Sequence, residues 1–288
     1  MSSTPNAAKS GTFKIGGVRE VNRLGFGAMR ITGEGVWGMP KNIEGAKDVL
    51  KKAVELGVNF IDTADSYGPF VSEQLIGDTL SPYPTDLLIA TKVGLERPAA
   101  GEWTQNGSAA HINEAIEGSL KRLKLDCIEL YQLHRIDSKV PLEETIGALK
   151  ELQEAGKIKH IGLSEVTVDE IKKVQEMVEV VSVQNMYNLG NRKSEEVLKY
   201  CEENNIGFIP WFPLDTGNLT KGEGGVTEIA EKYSATPGQI ALAWLLKKSP
   251  VMLPIPGTSS VEHLEENIGA AEIELSEEDF ATLDSMAS

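Results

Sequence analysis

Residues 87–134 read LLIATKVGLERPAAGEWTQNGSAAHINEAIEGSLKRLKLDCIELYQLH, and their pattern decides the fold. LLIATKV (87–93) and IELYQLH (128–134) are short, continuously apolar and rich in β-branched or aromatic residues. Such runs fit strands covered on both faces, as in a parallel sheet, better than strands with one wet face, which alternate. Between them, residues 110–124 place Ile112, Ala115, Ile116 and Leu120 on one helical face. That three- and four-residue spacing buries one stripe of a helix against a sheet.

The same unit recurs outward in both directions. Further strands are expected at LGFGAM (24–29), VNFID (58–62), HIGLSE (160–165), SVQNMY (182–187), GFIPWF (207–212) and VMLPIP (251–256). Helical patterns fill residues 44–56, 142–155, 167–179, 193–204 and 236–248, with capping signals at Thr167 and Ser276. Eight strands alternating with helices, without a linker, predict an α/β protein of the (β/α)8 TIM-barrel class, one domain over residues 1–288. TFKI, GG and VREVNRL (12–24) predict an N-terminal β-hairpin, residues 1–10 a flexible arm, and residues 275–287 an extra C-terminal helix. A Gly-rich loop follows Leu214. A doubly wound sheet is the alternative, weakened because no Gly-x-Gly-x-x-Gly follows a strand.

The chain carries a net charge of −15. Such a surface repels polyanions, so nucleic acid and anionic membranes are not expected partners. Only two cysteines occur, Cys127 and Cys201, and neither belongs to a C-x-x-C pair. A disulfide framework or a zinc site is therefore not expected, and both thiols read as packing residues. No apolar run reaches membrane-span length and MSSTPNAAKS lacks a secretory core, so a soluble cytoplasmic protein is expected. The oligomeric state is left open.

In this architecture chemistry collects at the C-terminal ends of the strands. Polar side chains interrupt the apolar runs there: Asp62, Lys92, His134, Ser164 and Glu165, Gln184 and Asn185, and Trp211. Each has a bland reading alone, the aspartate as a helix cap, the lysine as a snorkelling edge residue, the histidine as a satisfied core group. Neighbouring strands that all deliver such groups to one rim are harder to explain by packing, because buried Lys and Asp are rarely unpaired.

This set resembles the aldo-keto reductase superfamily. FIDTADSYG (60–68) is similar to its signature, LLIATKV to the strand carrying its lysine, and LYQLHRID (130–137) to the strand carrying its histidine. GLSE (162–165), QNMYN (184–188), PWFPL (210–214) and IPGTSSVEHLEEN (255–267) resemble its cofactor-binding segments, in order over nearly the whole chain. VNRLGFGAMRITG (21–33) and the 255–267 segment most resemble the pyridoxal reductase/pyridoxine 4-dehydrogenase branch.

The resemblance implies an NADPH-dependent oxidoreductase that reduces an aldehyde or ketone, with a catalytic tetrad of Asp62, Tyr67, Lys92 and His134. Lys92 is expected to lower the Tyr67 pKa, Asp62 to pair with Lys92, and His134 to orient the substrate oxygen. Trp211 matches the position that stacks on the nicotinamide, while Ser164 and Gln184 match carboxamide contacts. Leu214, Thr216, Gly217 and Leu219 match the pyrophosphate loop, and Gly257, Thr258, Ser259, His263, Glu266 and Asn267 the adenosine end. No metal is implied.

Two positions depart from the family pattern. Glu165 stands where asparagine is usual, either beside the nicotinamide or as a capping carboxylate near TVDE. Gly257 and His263 stand where many members have lysine and arginine, which makes NADH the alternative cofactor. Trp37, Met39 and Trp103 are the expected substrate-pocket residues for a small-molecule carbonyl substrate. The alternative function is a nicotinamide-binding regulatory or redox-sensing protein of the same fold with low turnover.

Overall fold

The computed structural model describes residues 4–214 and 225–286. A hairpin of β1 (Thr12–Ile15) and β2 (Arg19–Asn22) precedes the repeating units. The units run β3 (Phe26–Gly27), α1 (Ile43–Glu55), β4 (Phe60–Asp62), α2 (Val71–Leu80) and β5 (Leu88–Val93). A two-stranded ribbon, β6 (Leu95–Glu96) with β7 (Thr104–Gln105), folds over the end of β5. Then come α3 (Ala109–Leu123), β8 (Ile128–Leu133), α4 (Leu142–Glu154), β9 (Ile158–Ser164), α5 (Val168–Gln175), β10 (Val180–Gln184), α6 (Glu195–Glu203) and β11 (Gly207–Phe208). The chain finishes through α7 (Val226–Lys232), α8 (Pro237–Lys248), α9 (Val261–Gly269) and α10 (Glu277–Ser285).

Seven of these strands form one parallel sheet in the order β11-β10-β9-β8-β5-β4-β3. Residues 251–256 close it. Phe208 N–H donates to Val251 O at 2.8 Å, and Leu253 N–H donates to Phe208 O at 2.8 Å. On the other side Gly25 N–H donates to Pro254 O at 2.9 Å and Gly27 N–H to Pro256 O at 3.4 Å. The barrel is thus complete, although the expected eighth strand at 251–256 is not a regular one. Pro254 and Pro256 face β3 and have no N–H, so this seam runs on their carbonyls alone. The expected strands 24–29 and 207–212 are likewise shortened to two residues each beside this seam.

The central strands are buried on both faces, as their apolar runs require; every residue of β5 is buried. Thr167 and Glu170 form a capping box at α5, and Ser276 caps α10. Three features went unread in the sequence. Helix α2 buries Ser72 and Glu73 beside its apolar residues, which blurs its stripe. Helix α7 follows the Gly-rich stretch of sequence. The β6–β7 ribbon is too short to leave a periodicity. Residues 4–10 also differ from the flexible arm expected there. Ala7 and Ser10 are buried in a 3-10 turn, Ala7 N–H donates to Leu56 O at 2.8 Å, and the Ser10 hydroxyl accepts from Leu24 N–H at 2.9 Å.

Closure needs close backbone approach. A Cβ added to Gly27 would lie 2.6 Å from Ile255 O, and one added to Gly257 would lie 2.5 Å from Gly27 O. By contrast, a Cβ on Gly147, within α4, meets nothing within 4 Å. Gly27→Ala should therefore destabilise by about 1–3 kcal/mol through overpacking, while Gly147→Ala should stabilise by up to about 1 kcal/mol through helix propensity. Paired urea unfolding curves measure both, and equal midpoints for the two variants would contradict this account of closure.

Candidate active site

Strands of a parallel barrel in register carry inward-facing residues to a common level. Asp62 on β4, Lys92 on β5, Gln132 on β8 and Gln184 on β10 meet inside the barrel, all buried. Lys92 Nζ donates to Asp62 Oδ2 at 2.6 Å, to Thr63 O at 2.8 Å and to the Tyr67 hydroxyl oxygen at 3.2 Å. Gln132 Nε2 and Gln184 Nε2 donate to Asp62 Oδ1 at 3.0 and 2.8 Å. An ammonium has three N–H donors and no acceptor. All three have partners here, and Asp62 is satisfied on both oxygens.

Tyr67 lies on the loop after β4, and its ring stands edge-on to that of His134 with centroids 5.8 Å apart. The Ser66 hydroxyl lies 3.3 Å from His134 Nδ1. The four expected tetrad residues therefore share one rim. Burial pushes the Tyr67 phenol above its usual pKa, with Lys92 pulling against it. The lowering expected from Lys92 is present as an influence but does not win, because the hydroxyl is out of water. Burial also opposes the Lys92 charge, yet Asp62 and Tyr67 outweigh it and hold the ammonium above its usual value. His134 is driven well below the ordinary imidazole range by burial, then by Lys92 and Arg135.

With Lys92 buried beneath them, Asp62, Tyr67 and His134 line a cleft of about 790 Å3, within the size range of small-molecule sites. Ser164, Gln184, Trp211, Leu214 and Gly257 line it, as does Trp103. Ser164 Oγ accepts from Arg135 Nη1 at 3.0 Å. Beyond Gly257 the chain turns into α9, where Ser260 accepts from His263 N–H and Thr258 Oγ1 from Ser260 N–H. Ser259 and His263 are exposed, and Thr258 and Asn267 are buried. Glu266 is fastened to α8 by Thr236 Oγ1 at 2.6 Å. Thr216, Gly217 and Leu219 lie outside the described residues.

Glu165 does not take the capping role set out for it, because Thr167 caps α5. With φ at 55°, its side chain turns back across the strand ends. Oε1 accepts the Trp211 indole N–H at 2.6 Å and Met186 N–H at 2.7 Å. Its place is behind Trp211, fixing that ring at the cleft wall.

Trp37 and Met39 do not line the cleft, contrary to expectation. Arg97 stands in the way. Its guanidinium lies 3.7 Å from the Trp103 ring centroid and 5.4 Å from that of Trp37. It also donates to Glu102 O at 2.8 Å, Val36 O at 2.9 Å and Ser66 O at 3.2 Å. One arginine thus ties three loops together, with Trp103 on the cleft side, 6.5 Å from the His134 ring centroid, and Trp37 behind. Met39 is 45% exposed beyond that tie.

Among the cleft residues that went unread in the sequence are two arginines, Arg30 and Arg135. Each directly follows a strand-end motif, GFGAM and QLH, and that position on a barrel rim was the available signal. Arg30 packs against the glycine pair, its Cγ 3.5 Å from where a Gly257 Cβ would stand.

The chain belongs to the Aldo/keto reductase family, whose profile matches residues 23–288. It is 50% identical over 283 residues to an uncharacterized oxidoreductase of Schizosaccharomyces pombe, covering 98% of this chain and 92% of that protein. It is 42% identical to pyridoxine 4-dehydrogenase of Escherichia coli, covering 96% and 99%. Among solved structures, a thermostable aldo-keto reductase in complex with the inhibitor epalrestat superposes with a TM-score of 0.82 at 32% identity, covering 96% of this chain and 99% of that one. An aldo-keto reductase from Klebsiella pneumoniae in complex with NADPH gives a TM-score of 0.82 at 26% identity, covering 95% and 94%. No helix among the described residues is long and apolar enough to cross a membrane.

The depressed His134 pKa carries a pH signature. An unfolded histidine titrates near 6.5, above the folded group, so below that pH the unfolded chain binds more protons. His134 therefore contributes no penalty above about pH 6.5 and progressively destabilises the fold as pH falls towards its folded pKa. Wild-type unfolding free energy should drop between about pH 6.5 and 5 more steeply than that of His134→Gln. Parallel slopes in denaturant titrations across that range would mean that His134 protonates freely in the folded state.

Proposed function

We propose that the chain reduces an aldehyde or ketone to the alcohol with NADPH as reductant, and that Tyr67 supplies the proton to the substrate oxygen. The observation that carries this reading is the bond from Lys92 Nζ to the Tyr67 hydroxyl, at 3.2 Å, with Lys92 itself anchored by Asp62. Because Lys92 occupies a lone pair of that oxygen, the phenolic proton points away from it and towards the cleft. The same ammonium stabilises the phenolate left after proton transfer. His134 stays neutral. In the tautomer in which Nδ1 accepts from the Ser66 hydroxyl 3.3 Å away, Nε2 carries the ring proton and donates to the same substrate oxygen.

The cleft suits a nicotinamide dinucleotide. Gly27 and Gly257 bring bare backbone to the cleft wall beside Arg30, a cation placed for a pyrophosphate. Trp211, held by Glu165, offers a fixed ring face, and Ser164 and Gln184 offer polar contacts for a carboxamide. Thr258, Ser259 and the Ser260-capped N-terminus of α9 would receive the adenosine phosphate. When bound, NADPH supplies the hydride. Its use supports a cytoplasmic site of action, as do the two free cysteines. The relative named pyridoxine 4-dehydrogenase makes pyridoxal the first substrate to test.

The test follows NADPH oxidation with pyridoxal and a panel of simple aldehydes, with NADH in parallel. Tyr67→Phe keeps the ring and removes the proton, so turnover should fall at least about 100-fold while NADPH still quenches protein fluorescence with the wild-type Kd. Full activity in Tyr67→Phe would remove Tyr67 from the mechanism. Tight NADPH binding with no turnover by the wild type would favour the regulatory alternative instead.

A further inference from the structure

Arg135 is a cleft cation that the reaction as described does not use. It follows His134 at the end of β8 and is half-buried. Its Nη1 donates to His134 O at 2.5 Å and to Ser164 Oγ at 3.0 Å. Those bonds hold the plane of the guanidinium. They leave the rest of its five-donor fork without a partner among the described residues. Its nearest carboxylate influence is Glu165, whose Oε1 is already held by Trp211 and Met186. A partly desolvated guanidinium with no direct counter-ion is unfavourable unless something else fills that place.

The charge around it is one-sided. The chain has 43 acidic and 28 basic residues apart from histidine, yet the cleft is lined by Arg30, Arg135 and Lys139 against a single carboxylate, Asp62. Asp62 is fully engaged inside the barrel. Lys139, four residues beyond Arg135, brings a second positive charge to the same wall. Arg135 is also close enough to the reacting groups to depress the His134 pKa and to pull down that of Tyr67. Leu95 and Trp103 add apolar wall for a substrate body.

We propose that Arg135, backed by Lys139, binds an anionic substituent of the carbonyl substrate, so that the preferred substrates are aldehydes or ketones that carry a carboxylate, phosphate or phenolate. This rests on the carbonyl-reductase reading of the same cleft. Arginine suits the task because its planar fork can grip two oxygens at once. The pairing would complete the charge balance that the free cleft lacks and fix the carbonyl under Tyr67 and His134.

The ortho, meta and para carboxybenzaldehydes, each paired with its methyl ester, isolate the charge at constant shape. The best acid should exceed its ester in kcat/KM by about tenfold or more, the range for a hydrogen bond to a charged group. In Arg135→Met, which keeps the apolar stem, that acid-to-ester ratio should collapse towards unity, and Arg135→Lys should restore part of it. An unchanged ratio in Arg135→Met overturns the proposal. So does an equal fall for acid and ester, which would make Arg135 a support for His134 and Ser164. So does a weaker Kd for NADPH with the ratio intact, which would make it a cofactor contact. If the wild type turns over acid and ester equally, this proposal fails and the carbonyl-reductase reading stands; if it reduces no aldehyde at all, that reading fails as well.

Discussion

The ion pair between Lys92 and Asp62 lies inside the barrel, with side-chain exposures of 0% and 1%. Removing two such charges from water costs several kcal/mol each, and their attraction offsets this only when every remaining donor and acceptor is also satisfied. The surrounding structure meets that condition. Gln132 and Gln184 occupy the second oxygen of Asp62, and Thr63 O and the Tyr67 hydroxyl take the remaining protons of Lys92. A pair so completed does little for net stability. It does hold a permanent positive charge against a phenol, in a place where water cannot screen it.

The fold makes this placement reproducible. Inward positions of four strands converge on one level, and Gly162 leaves room there, since a Cβ would come within 2.9 Å of Gln132 Cγ and 2.3 Å of Ser182 Oγ. Around the mouth, three further side chains hold the loops. Glu165 fixes Trp211, Arg97 ties the 34–37 and 102–103 loops to Ser66, and Ser66 reaches His134. Groups that line the cleft are thus backed by groups whose own positions are set by hydrogen bonds, the condition for a preorganised site.

Much of this was legible in the sequence, for identifiable reasons. Strands buried on both faces leave continuous apolar runs, so β5, β8 and β9 could be read nearly to their ends, while β10 was placed late. Lys92, Gln184 and His134 stood out because polar residues within such runs need partners. The closing segment was harder. Pro254 and Pro256 remove donors from a strand that composition alone would make regular. The cleft wall was misread where tertiary contacts decide: Trp37 looked like a pocket aromatic, and only the position of Arg97 turns it away. Glu165 stood out as a residue type, but its role depends on the indole N–H of Trp211, 46 residues away along the chain. Arg30 and Arg135 were passed over because an arginine after a strand reads as surface charge until the rim is assembled.

The central claim is that Asp62 and Lys92 act on the reaction through Tyr67. A double-mutant cycle of Asp62→Asn and Tyr67→Phe, read as kcat/KM for aldehyde reduction, tests it directly. Residues that act as one unit are strongly non-additive. The double variant should therefore be no slower, within about threefold, than Tyr67→Phe alone. If the two losses instead multiply, Asp62 assists the reaction by a route that bypasses the tyrosine, and the account of the buried pair is wrong.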